Sequence, residues 1–562
     1  MAATDTSAPA SKTGMTTKQL RELADTLFTK RKSLISLWQE IAENFYPERA
    51  DFTVKRYLGD DYAGNLMTSY PVLTRRDMSD QIGTMLRNTN KPWFNMTCND
   101  ERRMDHDAKA WLEWATKTMR SAMYSPHTLF TKATSQADAD YATFGQTCVT
   151  VRLNSQADDL LYRTWHLRDM AWMEDEDGKL CGIFRRWKPS NRTLVKMFDG
   201  KTNTSVHRSV IKDSVKAPNE EVECYHFMVK SDMYDGPDNS MPWRSIYYDS
   251  AHDYEMECVA QKNREYVIPR WLTVSGSQYA HSPATVAALP EARLLQSMTY
   301  TLLEAGEKVV NPPMVAVEQA IRSDVSLYAG GLTYVDMEYD ERTGAALRPL
   351  LNDSRGLPLS REMQADSRQL LAKCFYLDRL VLPQRGPEMT AYEVGQRVQE
   401  YIRNALPLFE PIEAEYNGGI CEETFAVMMA AGGFGSPMDM PKSLQDQNGV
   451  DVQFRFSSPL HDALDEMKGQ KFLEMKQMLA EAVALDQNAY AVVDAVASLR
   501  DALDGIGVPT AWTRSPEQVD QMIKSKQAQD QTDALLGRMQ QGAGVAKDLA
   551  TAQNLNAPQQ PM

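Results

Sequence analysis

The sequence predicts a mixed α+β protein that is mainly helical. Three observations support this: amphipathic helical stretches at both ends, an alternating strand-like region over roughly residues 145–275, and a long helix at residues 288–310 that ends at consecutive prolines. The 562 residues allow a large core without disulfide or metal. No apolar run of 18 residues occurs, so no membrane-spanning helix is predicted.

The N-terminal part is predicted to be helical. Residues 1–15 are small and polar, which predicts a disordered N-terminus and not a signal peptide. A long amphipathic helix is predicted for residues 16–43, with Thr16 and Gln19 as a capping box. Three further helices are predicted at residues 73–86, 103–124 and 125–141.

The character of the sequence changes near Gly145. Alternating apolar and polar residues predict strands at residues 147–152, 160–168, 180–187, 222–229, 245–248 and 265–273. The acidic stretch that ends at Gly178 is a turn signal, and it predicts a hairpin between two strands.

The middle of the chain predicts an antiparallel helical stalk with a small module at its tip. The helix at residues 288–310 has Pro290 in its first turn, and Leu294, Leu295, Met298, Leu302, Ala305 and Val309 form its apolar side. A small β-like segment follows at residues 314–351, then a second helix at 360–380. A third helix starts near Thr390 and continues, with kinks at prolines, to residue 431.

The C-terminal part is predicted to be helical after a short strand at residues 452–456. Two amphipathic helices are predicted at residues 464–485 and 489–503, and a Gln-rich helix at 516–540. Residues 542–562 are polar and predicted to be loose.

Charge and cysteine usage limit the possible functions. Acidic residues outnumber basic ones by 76 to 61, and the net charge of −15 argues against a high-affinity nucleic-acid binder. It does allow a protein that encloses DNA, because an acidic wall repels phosphate and lets DNA slide. Seven scattered cysteines without a CxxC pair predict a reduced cytosolic chain, and no metal or other cofactor is predicted.

Motifs of the common enzyme classes are missing from the sequence. No phosphate-binding loop, dinucleotide fingerprint, zinc-protease helix or serine-hydrolase elbow occurs, and the eight histidines are spread thinly. A metal-dependent nucleic-acid-processing enzyme stays open as an alternative, with Asp138, Asp140 and Glu174 as candidate metal carboxylates.

Five short segments follow one another in a characteristic order. They are Leu37-Trp38-Gln39-Glu40-Ile41 with its stop at Pro47, Tyr279-Ala280-His281-Ser282-Pro283, Val310-Asn311-Pro312-Pro313-Met314, Thr390-Ala391-Tyr392-Glu393-Val394 with Arg397, and Ile506-Gly507-Val508-Pro509. Their order over residues 16–540 resembles the portal proteins of tailed bacteriophages, specifically the head-to-tail connecting proteins of short-tailed phages. His281 departs from the family pattern, in which Gly or Arg is common at that position.

The resemblance implies a portal fold whose wing, stem, clip and crown layers assemble as a ring, typically of twelve subunits. The implied divisions are a wing at residues 16–283, stem helices at 284–310 and 354–381, a clip at 311–353, a tunnel loop at 382–390, a long kinked wing helix with a return strand at 391–455, a crown at 456–540 and a flexible tail at 541–562.

The resemblance also implies a function and partners. The ring would form a DNA channel at one capsid vertex of the virion, with assembly in the host cytoplasm, and would bind double-stranded DNA without sequence specificity. The implied protein partners are the terminase large subunit, major capsid and scaffolding proteins, and adaptor and tail proteins. No enzymatic activity is expected. Candidates for lining the channel are Gln384, Arg385, Glu388, Glu304 and Lys308, and residues of the family motifs are Pro312, Pro313, Thr390, Glu393 and Arg397.

A second alternative is a virion adaptor or scaffold protein without a DNA channel. Such a protein would use its helices only for protein contacts. It would have no need for a proline-bounded sequence of stem, clip and stem, which is the feature that favours the portal.

Overall fold

The structure is a computed structural model. It describes residues 14–57, 59–89, 92–98, 105–200, 204–236, 241–310, 312–316, 334, 347–349, 356–380, 412–435, 440–446, 449–450, 452–456, 472–481 and scattered residues between 494 and 529. Those described residues form a mixed α+β fold in which none of the helices is long and apolar enough to cross a membrane. The seven cysteines all lie within the described part, and none of them forms a disulfide.

The chain divides into two compact units. The first comprises Met1–Trp93 and Met119–Gly433, and the second comprises Phe94–Thr118 and Phe434–Met562. Both units are therefore built from separate stretches of sequence.

The N-terminal helices of the first unit are α1 (Thr17–Lys30), α2 (Lys32–Phe45), α3 (Tyr70–Leu86) and α5 (Phe130–Phe144); α4 (His106–Met123) lies between the last two in sequence. The predicted capping box of Thr16 and Gln19 is confirmed. The single helix predicted at residues 16–43 is wrong, because the chain breaks at Arg31. Gly14 and Met15 are also ordered, since the Met15 amide donates to the carbonyl of Met233 at 2.7 Å.

A five-stranded antiparallel meander forms the centre of the first unit. Its strands, in spatial order, are β4 (Met170–Glu174), β5 (Leu180–Trp187), β6 (Cys224–Lys230), β7 (Trp243–Asp249) and β8 (Tyr254–Gln261). The predicted hairpin is confirmed as β4–β5. The sequence did not predict β8, in which polar residues interrupt the alternation.

Both faces of this sheet are covered. Leu20 and Ala24 of α1 pack with Phe184 and Phe227 of the sheet. The opposite face packs against two short helices, α6 (Asn191–Phe198) and α7 (Arg208–Lys216), which the sequence did not predict. Adjacent residues of β6 serve different faces, because side chains alternate along a strand.

A smaller sheet completes the β-rich region. Its order is β3 (Leu160–Thr164), β2 (Val149–Leu153) and β9 (Tyr266–Val267). The strand predicted at residues 265–273 is therefore much shorter than expected. The Tyr162 hydroxyl of β3 lies 2.8 Å from the Thr424 hydroxyl of α11 (Gly418–Ala430), which links this sheet to a later part of the chain.

Two long helices follow the β-rich region. They are α8 (Pro283–Val310) and α9 (Gly356–Cys374), and the short helix α10 (Leu377–Leu380) continues from the second. Between them, β10 (Met314–Ala316) pairs antiparallel with β11 (Leu347–Pro349). Helix α8 begins five residues before its predicted start, so Pro290 lies inside the helix and not in its first turn.

The second unit contains two paired strands that lie far apart in the sequence. Strand β1 (Phe94–Thr97) pairs antiparallel with β14 (Gln453–Phe456), after a small hairpin of β12 (Gln445–Asp446) and β13 (Gly449–Val450). Trp111 and Trp114 of α4 contact Phe434, with ring centres 6.2 and 6.5 Å apart. Residues 472–481 are helical as predicted, whereas the tail at 541–562 lies outside the described residues.

Candidate channel segment

Helix α8 is anchored at its start by two buried hydroxyl groups. The Ser282 hydroxyl donates to the carbonyl of Ala142 at 2.7 Å and accepts a hydrogen bond from the Thr285 amide. The Thr285 hydroxyl donates to the carbonyl of Thr143, also at 2.7 Å. Both carbonyls belong to the last turn of α5, where they have no partner within the helix. The two helices therefore satisfy each other's backbone groups.

Gly145 allows this close approach. Its φ is 73°, in the left-handed region where a side chain is strained. A Cβ atom at this position would lie only 2.4 Å from the carbonyl carbon of His281. A residue larger than glycine would therefore separate the end of α5 from the start of α8.

The first half of α8 also rests on the N-terminal helical region. The Gln296 side chain accepts hydrogen bonds from the amides of Met67 and Thr68 at 2.7 and 3.0 Å. It also donates to the Thr68 carbonyl at 3.1 Å. Arg293 forms an ion pair with Glu40 of α2. These contacts fix the direction in which α8 leaves the β-rich region.

Helices α8 and α9 run antiparallel. The Gln364 amide nitrogen of α9 donates to the Thr299 hydroxyl of α8 at 3.2 Å. Further along α9, Cys374 lies beside Glu291, and burial together with this carboxylate raises the pKa of its thiol. Residues later in α9 thus lie beside residues earlier in α8, as in any antiparallel pair of helices. The β10–β11 pair continues the same antiparallel order beyond the helices.

The outer half of α8 leaves apolar side chains uncovered. Leu303 is 57% exposed and Val310 is 86% exposed, and Tyr300 lies near both on the helical projection. Leu294 and Val309, also exposed, lie on the opposite flank at about 3.6 residues per turn. The stripe that faces α9 lies between these two flanks. The predicted apolar side is therefore not one buried face, since only Leu295 of that set is fully buried.

Glu304 and Lys308, two predicted channel residues, form an ion pair on α8. Their charged groups are 2.7 Å apart at the i, i+4 spacing, and both side chains are about half exposed. The hydrogen bond from Lys308 to Glu304 raises the pKa of the lysine. On the helical projection the pair points away from α9 and lies between the two apolar flanks.

The structure describes only some of the other predicted site residues. Pro312 and Pro313 lie between the end of α8 and β10, as the sequence indicated. The remaining candidates lie outside the described residues: Gln384, Arg385, Glu388, Thr390, Glu393 and Arg397.

The three candidate metal carboxylates do not converge. The buried Asp138 pairs with Arg87, Asp140 with Arg49 at 2.7 Å, and Glu174 with Arg270. Each of the three carboxylates thus pairs with a different arginine, and the described part of the chain contains no cluster suited to a metal ion. The proposed metal centre is therefore wrong for these residues.

The Asp138–Arg87 pair is part of a network that the sequence did not reveal. Tyr416 donates to Asp138 at 2.9 Å, and Arg87 donates to Asn417 at 2.8 Å. Burial alone would lower the pKa of Arg87, but the Asp138 carboxylate raises it above its ordinary value. Both partners from the later chain lie in a π-helix at Glu413–Asn417, which precedes α11. The network fixes the π-helix and the start of α11 against α3 and α5.

The sequence comparisons define the class of protein: a structural, non-enzymatic connector of a virus particle. The family described as bacteriophage head to tail connecting protein matches residues 17–513, and the chain belongs to this family.

Two relatives are similar over most of their length. The probable portal protein of Bordetella phage BPP-1 is 25% identical over 445 residues, which cover 78% of each chain. The portal protein of Salmonella phage epsilon15 is 23% identical over 428 residues, which cover 75% of this chain and 76% of that protein. Among solved structures, a chain from the virion of a native gene transfer agent particle matches 77% of this chain and 92% of its own, with 9% identity and a TM-score of 0.35.

Proposed function

We propose that this protein is a portal: copies of it form a ring at one capsid vertex, through which DNA is packaged, retained and ejected. Membership of the head-to-tail connecting family supports this proposal, as do the two phage relatives that are named portal proteins. The alternative of an adaptor or scaffold without a channel has no such support.

The apolar flanks of α8 are the observation that carries the ring. A single chain exposes Leu303 and Val310 on one flank and Leu294 and Val309 on the other. Large apolar side chains exposed in rows are typical of protein interfaces. In a ring, each subunit meets a neighbour on two sides, and such a head-to-tail contact uses two different surfaces. Two flanks on opposite sides of one helix meet that requirement.

The layers of the ring follow the antiparallel helix pair. We assign α8 and α9 to the stem at residues 284–310 and 354–381, and the β10–β11 pair to the clip at 311–353. The wing, tunnel loop and crown keep the boundaries expected from the sequence. We further propose twelve subunits, a terminase large subunit docked at the clip, and later adaptor and tail proteins. Capsid and scaffolding proteins would surround the ring during assembly in the host cytoplasm.

The Glu304–Lys308 pair is our candidate for the channel wall. It lies between the apolar flanks, so subunits joined through those flanks would all present it to the same side. Paired charges leave little net attraction for phosphate, and the chain as a whole carries −15. Weak attraction favours sliding of DNA. Gln384, Arg385 and Glu388 stay candidates for the tunnel loop.

Ring assembly can be tested by substituting one flank residue. In the ring, a neighbouring subunit would bury the Leu303 side chain, and this burial contributes about 1.5–3 kcal/mol per contact. Leu303→Asp places a charge there instead, which is costly to bury. We expect a particle near a dozen subunits for the wild type and mainly monomer for the variant, measured by light scattering and negative-stain imaging.

Leu272→Asp is the matched control, because Leu272 is similarly exposed, at 55%, but lies outside the stem. It should assemble normally. A wild-type protein that stays monomeric at micromolar concentration contradicts the proposal, and so does a Leu303→Asp variant that forms normal rings.

A further inference from the structure

A cleft with an excess of positive charge lies at the break between α1 and α2. Its volume is about 540 Å³. Four basic residues from three parts of the first unit line it: Arg31, Lys32, Arg168 and Arg186. Three residues with hydroxyl groups, Thr29, Ser36 and Thr53, also line the cleft. In a chain with a net charge of −15, such a concentration of cations needs an explanation.

Arg31 is held in place by backbone carbonyls. Its two terminal nitrogens donate to Leu167 at 2.9 Å and Arg168 at 2.5 Å. No carboxylate pairs with it among the described residues, and its Nε makes no hydrogen bond, although Tyr279 is close. Burial lowers the pKa of Arg31 to about 10, Tyr279 opposes this shift, and the charge of Arg186 adds to it.

Phe28 contacts both guanidinium groups. Arg31 lies 4.7 Å and Arg186 4.8 Å from the centre of this one aromatic ring. Each contact is favourable for a cation, but the two like charges repel each other. The repulsion would be relieved by an anion that both arginines can reach.

The acidic residues near the cleft do not supply that anion. Asp51 and Asp169 both pair with Arg168. Asp25 lines the cleft, but it accepts a hydrogen bond from Tyr225 at 2.7 Å and lies 3.7 Å from Arg21. Within the described residues, Lys32 and Arg186 form no ion pair. Two cations thus remain without a carboxylate.

We propose that this cleft binds a phosphate group, with Lys32 and Arg186 as its charged contacts and Arg31 as a fixed positive neighbour. Phosphate fits better than a carboxylate, because its larger charge and its oxygens in several directions match cations and hydroxyls that arrive from several segments. Guanidinium groups suit phosphate because their donors match its oxygens in pairs. The phosphate could belong to the DNA backbone or to a free ion.

The test is titration of the full-length protein with inorganic phosphate in a calorimeter. Lys32→Gln and Arg186→Gln should each weaken binding about tenfold, the usual loss for one charge-assisted hydrogen bond. Lys212→Gln and Arg192→Gln are the matched controls, because both residues are exposed and lie on α7 and α6, away from the cleft. Both should bind as the wild type does. Lys32 is exposed, so its substitution should leave the fold intact.

A second titration distinguishes the two sources of phosphate. A fluorescent 15-base-pair duplex is followed by anisotropy at several salt concentrations. If the source is DNA, both cleft variants weaken duplex binding. Each variant also lowers the number of counterions released on binding, measured from the salt dependence of the affinity, by about one. If the source is a free ion, phosphate binding weakens and duplex binding is unchanged. The proposal is overturned if titration of the wild type with phosphate produces no binding heat, or if the cleft variants bind phosphate as the controls do. It is also overturned if a tetraglutamate peptide binds the cleft and phosphate does not displace it.

Discussion

Arginine residues neutralise the three carboxylates Asp138, Asp140 and Glu174 of the first unit. Asp138 shows the most complete case, since Tyr416 and Asn417 surround its pair with Arg87 and all four residues are buried. A buried ion pair adds little net stability, but its loss is costly because one charge is left without a partner. The carboxylates that the sequence offered as metal ligands are thus part of the packing.

We expect Arg87→Met to destabilise the first unit by about 3–5 kcal/mol, because it leaves Asp138 buried without its cation. The double variant that adds Asp138→Leu should regain part of the loss. Arg76→Met is the control, since Arg76 is exposed and lies 4.0 Å from Asp80, and it should cost less than about 1 kcal/mol. Urea denaturation measures all three. Equal losses for Arg76 and Arg87 would show that burial of the pair is unimportant.

Gly145 tests the junction between α5 and α8. Gly145→Ala combines a left-handed backbone with the clash at His281, so we expect a loss of more than about 3 kcal/mol. Gly200 has the same φ of 73°, and a Cβ atom there would have no described atom within 4 Å. Gly200→Ala should therefore cost about 1 kcal/mol, which measures the backbone strain without a clash. Thermal unfolding compares the two variants, and similar midpoints would mean that the junction can open without cost.

At the scale of elements, the start of α8 depends on side-chain hydrogen bonds. Thr285→Val keeps the shape but leaves the Thr143 carbonyl without a donor, which should cost about 1–3 kcal/mol. Thr301→Val is the control, because the Thr301 hydroxyl is exposed and bonds only within its own helix. Its effect should stay within about 0.5 kcal/mol. Chemical denaturation is the measurement, and a neutral Thr285→Val would contradict the anchoring role.

The sequence predicted those elements whose ends carry local signals. The turn ending at Gly178 located the β4–β5 hairpin, and Pro312 marked the end of α8. The break at Arg31 has no proline or glycine, because tertiary contacts to two carbonyls hold the bend. Pro290 misled the prediction, because the helix begins earlier, at Pro283, where the hydroxyl groups of Ser282 and Thr285 anchor its start.

The candidate site was predictable to a similar extent. Glu304 and Lys308 could be paired from their spacing alone, because residues four apart are neighbours on a helix. A helical projection could also have found the two flanks of α8. The network of Arg87, Asp138 and Tyr416 could not be found, since its members come from distant parts of the sequence and no local pattern joins them.

At the scale of the whole molecule, two units interleave along one chain. The second unit depends on the pairing of Phe94 with Phe456 and of its neighbours. Phe94 is fully buried, so Phe94→Ala should cost about 3–5 kcal/mol within this unit. We expect hydrogen exchange to rise in Phe94–Thr118 and Phe434–Met562, while the first unit keeps its protection.

Phe198→Ala is the reciprocal control for this experiment. Phe198 packs in the core beneath α6, so exchange should rise within the first unit instead. Mass spectrometry of peptide fragments follows both units at once. Loss of protection throughout the chain in both variants would mean that the two units unfold as one.

The pairing of β1 with β14 also determines when the second unit can finish folding during synthesis. Strand β1 leaves the ribosome with the first hundred residues, but β14 follows only after residue 453. At about 5–20 residues per second, the unpaired strand waits on the order of tens of seconds. During that interval its edge can pair with other chains. A helper that shields the nascent strand would therefore raise the yield of folded protein, and slowed translation before β14 would lower it.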